Sequence, residues 1–374
     1  MKKQSLLWLS ALVVPFALQS CDADIPTSAA SHELRLTANL CEQPGATRGV
    51  QLNTTGSTQK LGLFDNYVES FYVSGYDDQG SSSTGYTHTL ITPWSEVESD
   101  GNGNWKLSGD PITWTDGYKF RLYGYANLPA SGATVTQTDK DNLTLSYTVP
   151  SSAANQKDIL LGFFEGADED EGLATLYFSH PLTAVAFIED PGTGKGFRVK
   201  TTSGTDPVEV AIKSIELQNV YTSGTTTLTP SLYLPAATSK LSDVAGALGY
   251  TWTNLGTANL TVSQSGTTTA PWLPENATSY HNGSTTVTLD VIGEPFILIP
   301  QDVTTNKVTV KIKATILGGG DVELLGTIKD KEWLPGITNI YKLSYTFESL
   351  PILLGGSLSV EPYVTEDPED LNLE

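Results

Sequence analysis

Apolar and polar residues alternate along most of this chain. Leu143, Leu145, Tyr147 and Val149 are separated by Thr144, Ser146 and Thr148, while Thr309, Lys311, Lys313 and Thr315 separate Val308, Val310, Ile312, Ala314 and Ile316. Successive side chains of an extended backbone point to opposite faces, so each run predicts a strand with one face on a core and one in water. The same period of two recurs at Tyr118, Phe120 and Leu122, at Leu176 and Phe178, at Val208, Val210 and Ile212, and at Tyr341, Leu343, Tyr345 and Phe347. Turn-forming stretches such as Asp77-Asp78-Gln79-Gly80, Asp100-Gly101-Asn102-Gly103 and Asp190-Pro191-Gly192 punctuate the runs. Only Leu241, Val244, Ala245 and Leu248 have a helical spacing, enough for one short helix. Strands with one wet face belong to antiparallel sheets packed face to face, so an all-β fold of the sandwich kind is expected. At 374 residues the chain is long for a single core, which makes two domains the default. The boundary is placed at Asp168-Glu169-Asp170-Glu171, between Gly166 and Gly172, because four adjacent like charges repel one another and stay solvated. The expected domains are therefore 49–171 and 172–374.

The amino terminus breaks the alternation. Lys2 and Lys3 precede an apolar run from Leu6 to Leu18, followed by Gln19, Ser20 and Cys21. The run is shorter than the about 20 apolar residues that cross a bilayer as a helix, and a small residue stands just before the cysteine. Residues 1–20 are thus expected to be a lipoprotein signal peptide, with Cys21 the acylated first residue of the mature chain. At ~0.8 kcal/mol per buried methylene, several acyl chains hold a protein at a membrane far better than one. The alternative is a plain secretory signal that ends near a cysteine, and Gln19 is unusual in a lipobox. The formal charge of -21 falls to -23 when Lys2 and Lys3 leave with the signal, which argues against nucleic-acid binding and against adsorption to anionic lipid. With Cys21 acylated, Cys41 has no partner, so stability must come from apolar cores rather than a disulfide.

Motifs for chemistry are weak. Asp100, Asn102 and Asn104 match the start of a calcium loop, but Trp105 replaces the required glycine and Pro111 stands where the bidentate Glu belongs, so a hairpin turn is expected. Gly192-Thr193-Gly194-Lys195-Gly196 lacks the Ser or Thr after Lys195 and the helix that a phosphate loop needs. His180 shares parity with Leu176 and Phe178 and is expected inside as a satisfied core histidine. Ser179 points the other way and forms no dyad with it. The Asp168 to Glu171 run could hold a cation but is expected to be solvated. No pair of carboxylates has a spacing that selects it for glycoside hydrolysis. Trp94, Trp105, Trp114, Trp252 and Trp272 lie in or beside turn-rich segments and could stack on sugars if exposed together, so a glycan-binding surface lipoprotein is the rival from another class. Trp114 and Trp333 each precede a glycine and a strand, as aromatics at a core edge do. The expectation is a non-enzymatic protein with no catalytic residue, no metal ligand and no cofactor.

Several short stretches occur in a telling order: Phe71-Tyr72-Val73-Ser74-Gly75-Tyr76, Tyr147-Thr148-Val149-Pro150 with Gln156-Lys157-Asp158-Ile159-Leu160, Phe178-Ser179-His180-Pro181-Leu182, Ile297-Leu298-Ile299-Pro300-Gln301, and Trp333-Leu334-Pro335-Gly336 with Tyr341. Together they resemble the fimbrillin family, lipoprotein subunits of the type V pili of Gram-negative gut and oral bacteria. The resemblance implies two tandem transthyretin-like antiparallel β-sandwich domains, and assembly by donor-strand exchange after proteolysis at an arginine. The implied partners are other fimbrial subunits, an arginine-specific surface protease, and the outer membrane through the lipid on Cys21. The implied locations are the cell outer membrane for the precursor and the surface fimbrium after maturation.

The residues make physical sense in that scheme. Leu34, Leu36, Ala38 and Leu40 alternate with Arg35, Thr37 and Asn39, so His32 to Cys41 can be an edge strand with its apolar face inward. Arg48 lies in Gln43-Pro44-Gly45-Ala46-Thr47-Arg48-Gly49, where Pro, Gly and small neighbours leave the backbone open to a protease. In similar subunits an arginine here is the maturation site, so 21–48 would be a lipidated propeptide with a removable strand; the alternative is an ordinary loop arginine. The candidate donor lies at the carboxyl end, where Leu350, Ile352 and Leu354 alternate, then Leu358, Val360 and Pro362 after Gly355-Gly356. Related subunits often have tryptophan where Tyr363 stands, and Pro362 removes a ladder donor. Alternatively residues 350–364 complete the second sandwich, as they would in a tip or anchor subunit.

Overall fold

The computed structural model describes residues 31–40, 68, 70–80, 85–99, 105–167, 172–189, 198–201, 208–228, 250–265, 277–282, 285–290, 292–316, 320–328, 332–347 and 356–362. Among them the chain is nearly all β, as the alternation requires. Asn142–Thr148 buries Leu143, Leu145 and Tyr147 and turns Ser146 and Thr148 to solvent, and Thr309–Ile316 buries Val310, Ile312 and Ala314 in the same way. The helix expected from Leu241 to Leu248 lies outside the described residues. Among the described residues no helix is long and apolar enough to cross a membrane.

Seven strands close a barrel in the order Leu160–Ala167, Leu173–Ser179, Arg35–Leu40, Trp105–Leu107, His88–Ser99, Ser70–Asp77 and Lys119–Ala126, the last pairing again with the first. Its interior holds Phe71, Val73, Trp105, Trp114, Phe120 and Phe178. Closure leaves no edge at the inner strands. Two facing glycines shape it: Gly124 and Gly162 are cross-strand partners, and a Cβ on Gly162 would stand 2.7 Å from the Phe178 ring. Both positions therefore leave room for that ring.

A four-stranded sheet joins Trp252–Thr253, Ser223–Leu228, Asn142–Thr148 and Ala133–Asp139. A nine-stranded sheet follows the path Phe296–Leu298, Thr183–Glu189, Thr338–Phe347, Arg198–Thr201, Val208–Tyr221, Thr309–Ile316 and Asp321–Thr327, with Ala258–Ser265 added to Val208–Tyr221 and Gly356–Pro362 to Thr338–Phe347. The long Val208–Tyr221 strand changes register at Ile212/Ser214 and again beyond Gln218, where Asn219 has φ 67. Such bulges bend a strand, and on one flank this one pairs first with Arg198–Thr201 and then with Ala258–Ser265.

The sheets cross the acidic run at which the sequence divides the chain. Leu173–Ser179, beyond that run, is a barrel strand, and Asn142–Thr148, before it, pairs with Ser223–Leu228. One apolar cluster accordingly takes Tyr123 and Phe163 from the barrel wall, Leu143, Leu145 and Tyr147 from the four-stranded sheet, and Val185, Ile215, Ile312 and Tyr341 from the nine-stranded sheet. Arg121 adds a polar tie. It lies 2.9 Å from Glu165, pairs with Asp141 and covers the Tyr86 ring at 4.1 Å, while Tyr123 donates to the Lys140 carbonyl at 3.0 Å.

Candidate functional site

The strand at the described amino end belongs to the barrel and carries side chains into its core. Ser31–Glu33 pairs antiparallel with Thr113–Thr115, setting His32 opposite Trp114. The backbone then turns between sheets: the Leu34 amide donates to the Ile112 carbonyl at 2.8 Å and the Arg35 amide to the Gly172 carbonyl at 2.7 Å. Arg35–Leu40 runs parallel to Leu173–Ser179 for six residue pairs, from Leu173↔Arg35 to Phe178↔Leu40. On its other side it meets Trp105–Leu107 through one pair, Leu36↔Trp105. The strand is thus built into the barrel wall rather than laid at a free edge, although among the described residues one flank carries six of its seven ladder pairs.

Its faces are sorted as the alternation requires. Leu34, Leu36 and Ala38 are 9%, 4% and 5% exposed and belong to the barrel core, whereas Arg35 is exposed and Thr37 half-buried. They cover an aromatic floor. Phe71 lies 5.0 Å from Trp105 and 5.2 Å from Phe178 between ring centroids, and Trp114 stacks on Phe120 at 4.1 Å. Trp114 is fully buried and donates from Nε1 to the Tyr118 carbonyl at 3.1 Å. Gly172, with φ +88, starts the neighbouring strand where a Cβ would sit 2.4 Å from the Glu33 carbonyl oxygen. Only glycine lets the chain turn this close to the amino-terminal strand.

At the other end of the chain, Gly356–Pro362 pairs antiparallel with Thr338–Phe347, and the register sets Val360 opposite the buried Leu343 and Pro362 opposite the buried Tyr341. Among the described pairs, Pro362 is the last on this strand, where the missing amide costs least. Leu358 stands opposite Tyr345. Cys21, Arg48, Leu350, Ile352, Leu354 and Tyr363 lie outside the described residues, as do Asp100, Asn102, Asn104, Lys195, Trp272 and the Asp168 to Glu171 run; for Leu40 the backbone pairing alone is described.

His180 is buried, and its Nδ1 lies 2.7 Å from the Asp158 carboxylate. Burial pulls its pKa down, but the charge and hydrogen bond of Asp158 outweigh that and raise it above the ordinary imidazole value. Ser179 is buried as well, contrary to strict alternation, because the strand ends there and its hydroxyl meets the Tyr250 hydroxyl at 2.6 Å. The serine and the histidine turn to different partners. Sequence reasoning found the histidine's burial but not Asp158, 22 residues away, nor Tyr250, and it expected a satisfied ring, whereas the buried Nε2 has no hydrogen-bond partner among the described residues.

Of the tryptophans, Trp105, Trp114 and Trp333 are buried, and Trp333 donates to the Tyr341 hydroxyl at 2.7 Å. Trp94 and Trp252 are half-buried and both pack on the shared core. Trp94 has φ 39 within a register shift between Ser70–Asp77 and His88–Ser99 and meets the Tyr125 ring edge-on at 4.9 Å. Among the described residues no group of three or more His, Cys, Asp and Glu side chains is placed to hold a metal ion.

A family model described as fimbrillin-like matches residues 64–362. Among curated proteins none matches the sequence. Similar solved structures include a fimbrial protein from Bacteroides vulgatus, at 14% identity and a TM-score of 0.49 over 89% of this chain and 99% of that one. A candidate cell adhesion protein from Bacteroides ovatus is 16% identical, with a TM-score of 0.45 over 90% of this chain and 100% of that one. The C-terminally truncated tip fimbrial protein Mfa3 of Porphyromonas gingivalis is 9% identical, with a TM-score of 0.34 over 88% of this chain and 99% of that one.

Proposed function

Because the chain belongs to the fimbrillin-like family, we propose that it is a structural subunit of a bacterial surface fimbria, matured by cleavage after Arg48 and polymerised by donor-strand exchange. The observation that supports this reading is the amino-terminal strand, where Leu34, Leu36 and Ala38 pack into an aromatic core, while among the described residues Arg35–Leu40 has six ladder pairs with Leu173–Ser179 and one with Trp105–Leu107. Burying a leucine contributes ~1.5–3 kcal/mol, and ordering the backbone costs about 1–2 kcal/mol per residue, so the strand is held by a modest net margin. Tethering matters more. While the segment is attached, its effective concentration at the groove is on the order of millimolar, and a strand from another molecule cannot compete. A cut after Arg48 would remove that advantage and release the anchor on Cys21 in the same event. The opened groove would then expose apolar surface and ladder groups that an incoming strand can satisfy. Residues 350–363, with Leu350, Ile352, Leu354, Leu358, Val360 and Tyr363, would supply the donor. The division into two transthyretin-like domains belongs to the same reading.

A second reading, a tip or anchor subunit that accepts a strand without donating one, is favoured by the pairing of Gly356–Pro362 with the chain's own Thr338–Phe347. One experiment separates them. The chain lacking residues 1–20 is treated with an arginine-specific protease, the new amino terminus is sequenced and the product run in SDS. A terminus at Gly49 with ladders establishes a polymerising subunit. A terminus at Gly49 without ladders establishes a cap, and ladders formed by Arg48→Ala overturn the maturation scheme.

A further inference from the structure

The strand that flanks the groove, Leu173–Ser179, is held very unevenly along its length. At its start, the Gly172 carbonyl accepts from Arg35, and Leu173 to Leu176 pair with Arg35 to Ala38 of the amino-terminal strand. Its register with Leu160–Ala167, the barrel strand on its other side, covers only Tyr177, Phe178 and Ser179 among the described residues. The ties that follow belong to the rest of the molecule. The Ser179 hydroxyl meets Tyr250 at 2.6 Å, His180 meets Asp158 at 2.7 Å, the Pro181 carbonyl accepts from Trp252 Nε1 at 2.9 Å, and the Leu182 carbonyl accepts from the Gly336 amide at 2.8 Å. Every residue from Phe178 to Thr183 is buried, and the Phe178 ring fills the space left by Gly124 and Gly162.

We infer that this strand is a rail with one fixed end, and that an incoming strand starts pairing at Tyr177–Ser179 and zips toward Leu173. Loss of the amino-terminal strand removes the described ladder partners of Leu173 to Leu176, and those of Tyr177 and Phe178 on that side, but leaves the pairing of Tyr177 to Ser179 with Leu161 to Phe163 and all the ties at Ser179 to Leu182. A pre-ordered end needs no further ordering before it pairs, so the first contacts there are the least costly. Once they form, each further pair is a local extension, as in any zipper. His180 and Asp158 are positioning residues in this scheme: they hold the toehold in place and touch no incoming strand. The inference rests on Arg35–Leu40 being the exchanged strand.

Native-state hydrogen exchange of the uncut chain, resolved by peptide, tests it without any cleavage step, so a failure of the protease experiment and a failure here are told apart. Leu173 to Leu176 should exchange with Arg35–Leu40 and about tenfold faster than Tyr177 to Ser179, since segments that open locally exchange as units. In His180→Gln the Tyr177 to Ser179 rate should rise by about tenfold, while Lys119–Ala126 stays within about twofold of the wild type. Trp252→Phe, which removes the bond to Pro181 and keeps an aromatic ring, though a smaller one, against the shared core, should move the same amides in the same direction, and it serves as the test if His180→Gln loosens Lys119–Ala126 as well. Exchange of Leu173–Ser179 as a single unit, or a Tyr177 to Ser179 rate that the informative variant leaves unchanged, overturns the inference.

Discussion

The buried His180 makes the passage from the barrel to the nine-stranded sheet sensitive to pH. Its pKa is raised above the ordinary value: burial alone would lower it, and Asp158 more than compensates. A raised histidine pKa stabilises the fold fully below the unfolded value, about 6.5, and that contribution is lost as pH climbs through the folded value. The urea midpoint should therefore fall as pH rises above about 6.5. Asp158→Asn should cost about 1.5–3 kcal/mol at pH 6, the worth of a hydrogen bond to a charged group, and flatten that pH dependence. A variant with the wild-type slope would show that another group sets it. Glycines give a second test at this scale. A Cβ on Gly162 would stand 2.7 to 2.8 Å from three atoms of the Phe178 ring, whereas one on Gly320 has nothing within 4 Å. Gly162→Ala should destabilise by about 1–3 kcal/mol through overpacking and Gly320→Ala by under about 0.5 kcal/mol. Equal urea midpoints for the two would refute this account of the barrel's shape.

Among the elements, the amino-terminal strand shows what a sequence can and cannot reveal. Its alternation identified the inward face, and Leu34, Leu36 and Ala38 are where it placed them. Burial follows from the two-residue period, which is local. The choice of neighbour is not local: nothing in 35–40 names Leu173–Ser179 as its parallel partner more than a hundred residues on, nor the single pair with Trp105 that puts it in a wall rather than at an edge. The same holds for the parallel pairing of Thr183–Glu189 with Thr338–Phe347. Trp94 was equally hidden, because a positive φ at a tryptophan comes from the bulge around it and not from its own preference. The strand's own energetics can be tested on its two faces. Leu36→Ala should destabilise by about 2–5 kcal/mol, as buried leucine truncations do, and Arg35→Ala by under about 1 kcal/mol, as exposed charges do. Tryptophan emission against urea reads both, since Trp105 and Trp114 line the space the strand covers. Similar midpoints for the two variants would mean that the strand is not seated as described.

At the scale of the molecule, the acidic run at 168–171 is where the sequence divides the chain into two domains, and the shared apolar core joins strands from either side of it. The four-stranded sheet takes Ala133–Asp139 and Asn142–Thr148 from the first half of the chain and Ser223–Leu228 and Trp252–Thr253 from the second. Its inner face shares one core with the barrel wall and the nine-stranded sheet. A sheet assembled from both halves cannot melt with one and stay folded with the other, because each half supplies strands that the other needs for its ladder and its burial. Calorimetry should accordingly give a single transition rather than two. Leu145 is the residue on which to press the point, being fully buried between Val135 and Thr226 in the middle of that sheet. Leu145→Ala should cost about 2–5 kcal/mol. The loss should appear equally in hydrogen exchange of Lys119–Ala126 in the barrel and of Thr309–Ile316 in the nine-stranded sheet, provided both exchange by global opening. Two calorimetric peaks, with Leu145→Ala shifting one alone, would refute the coupling.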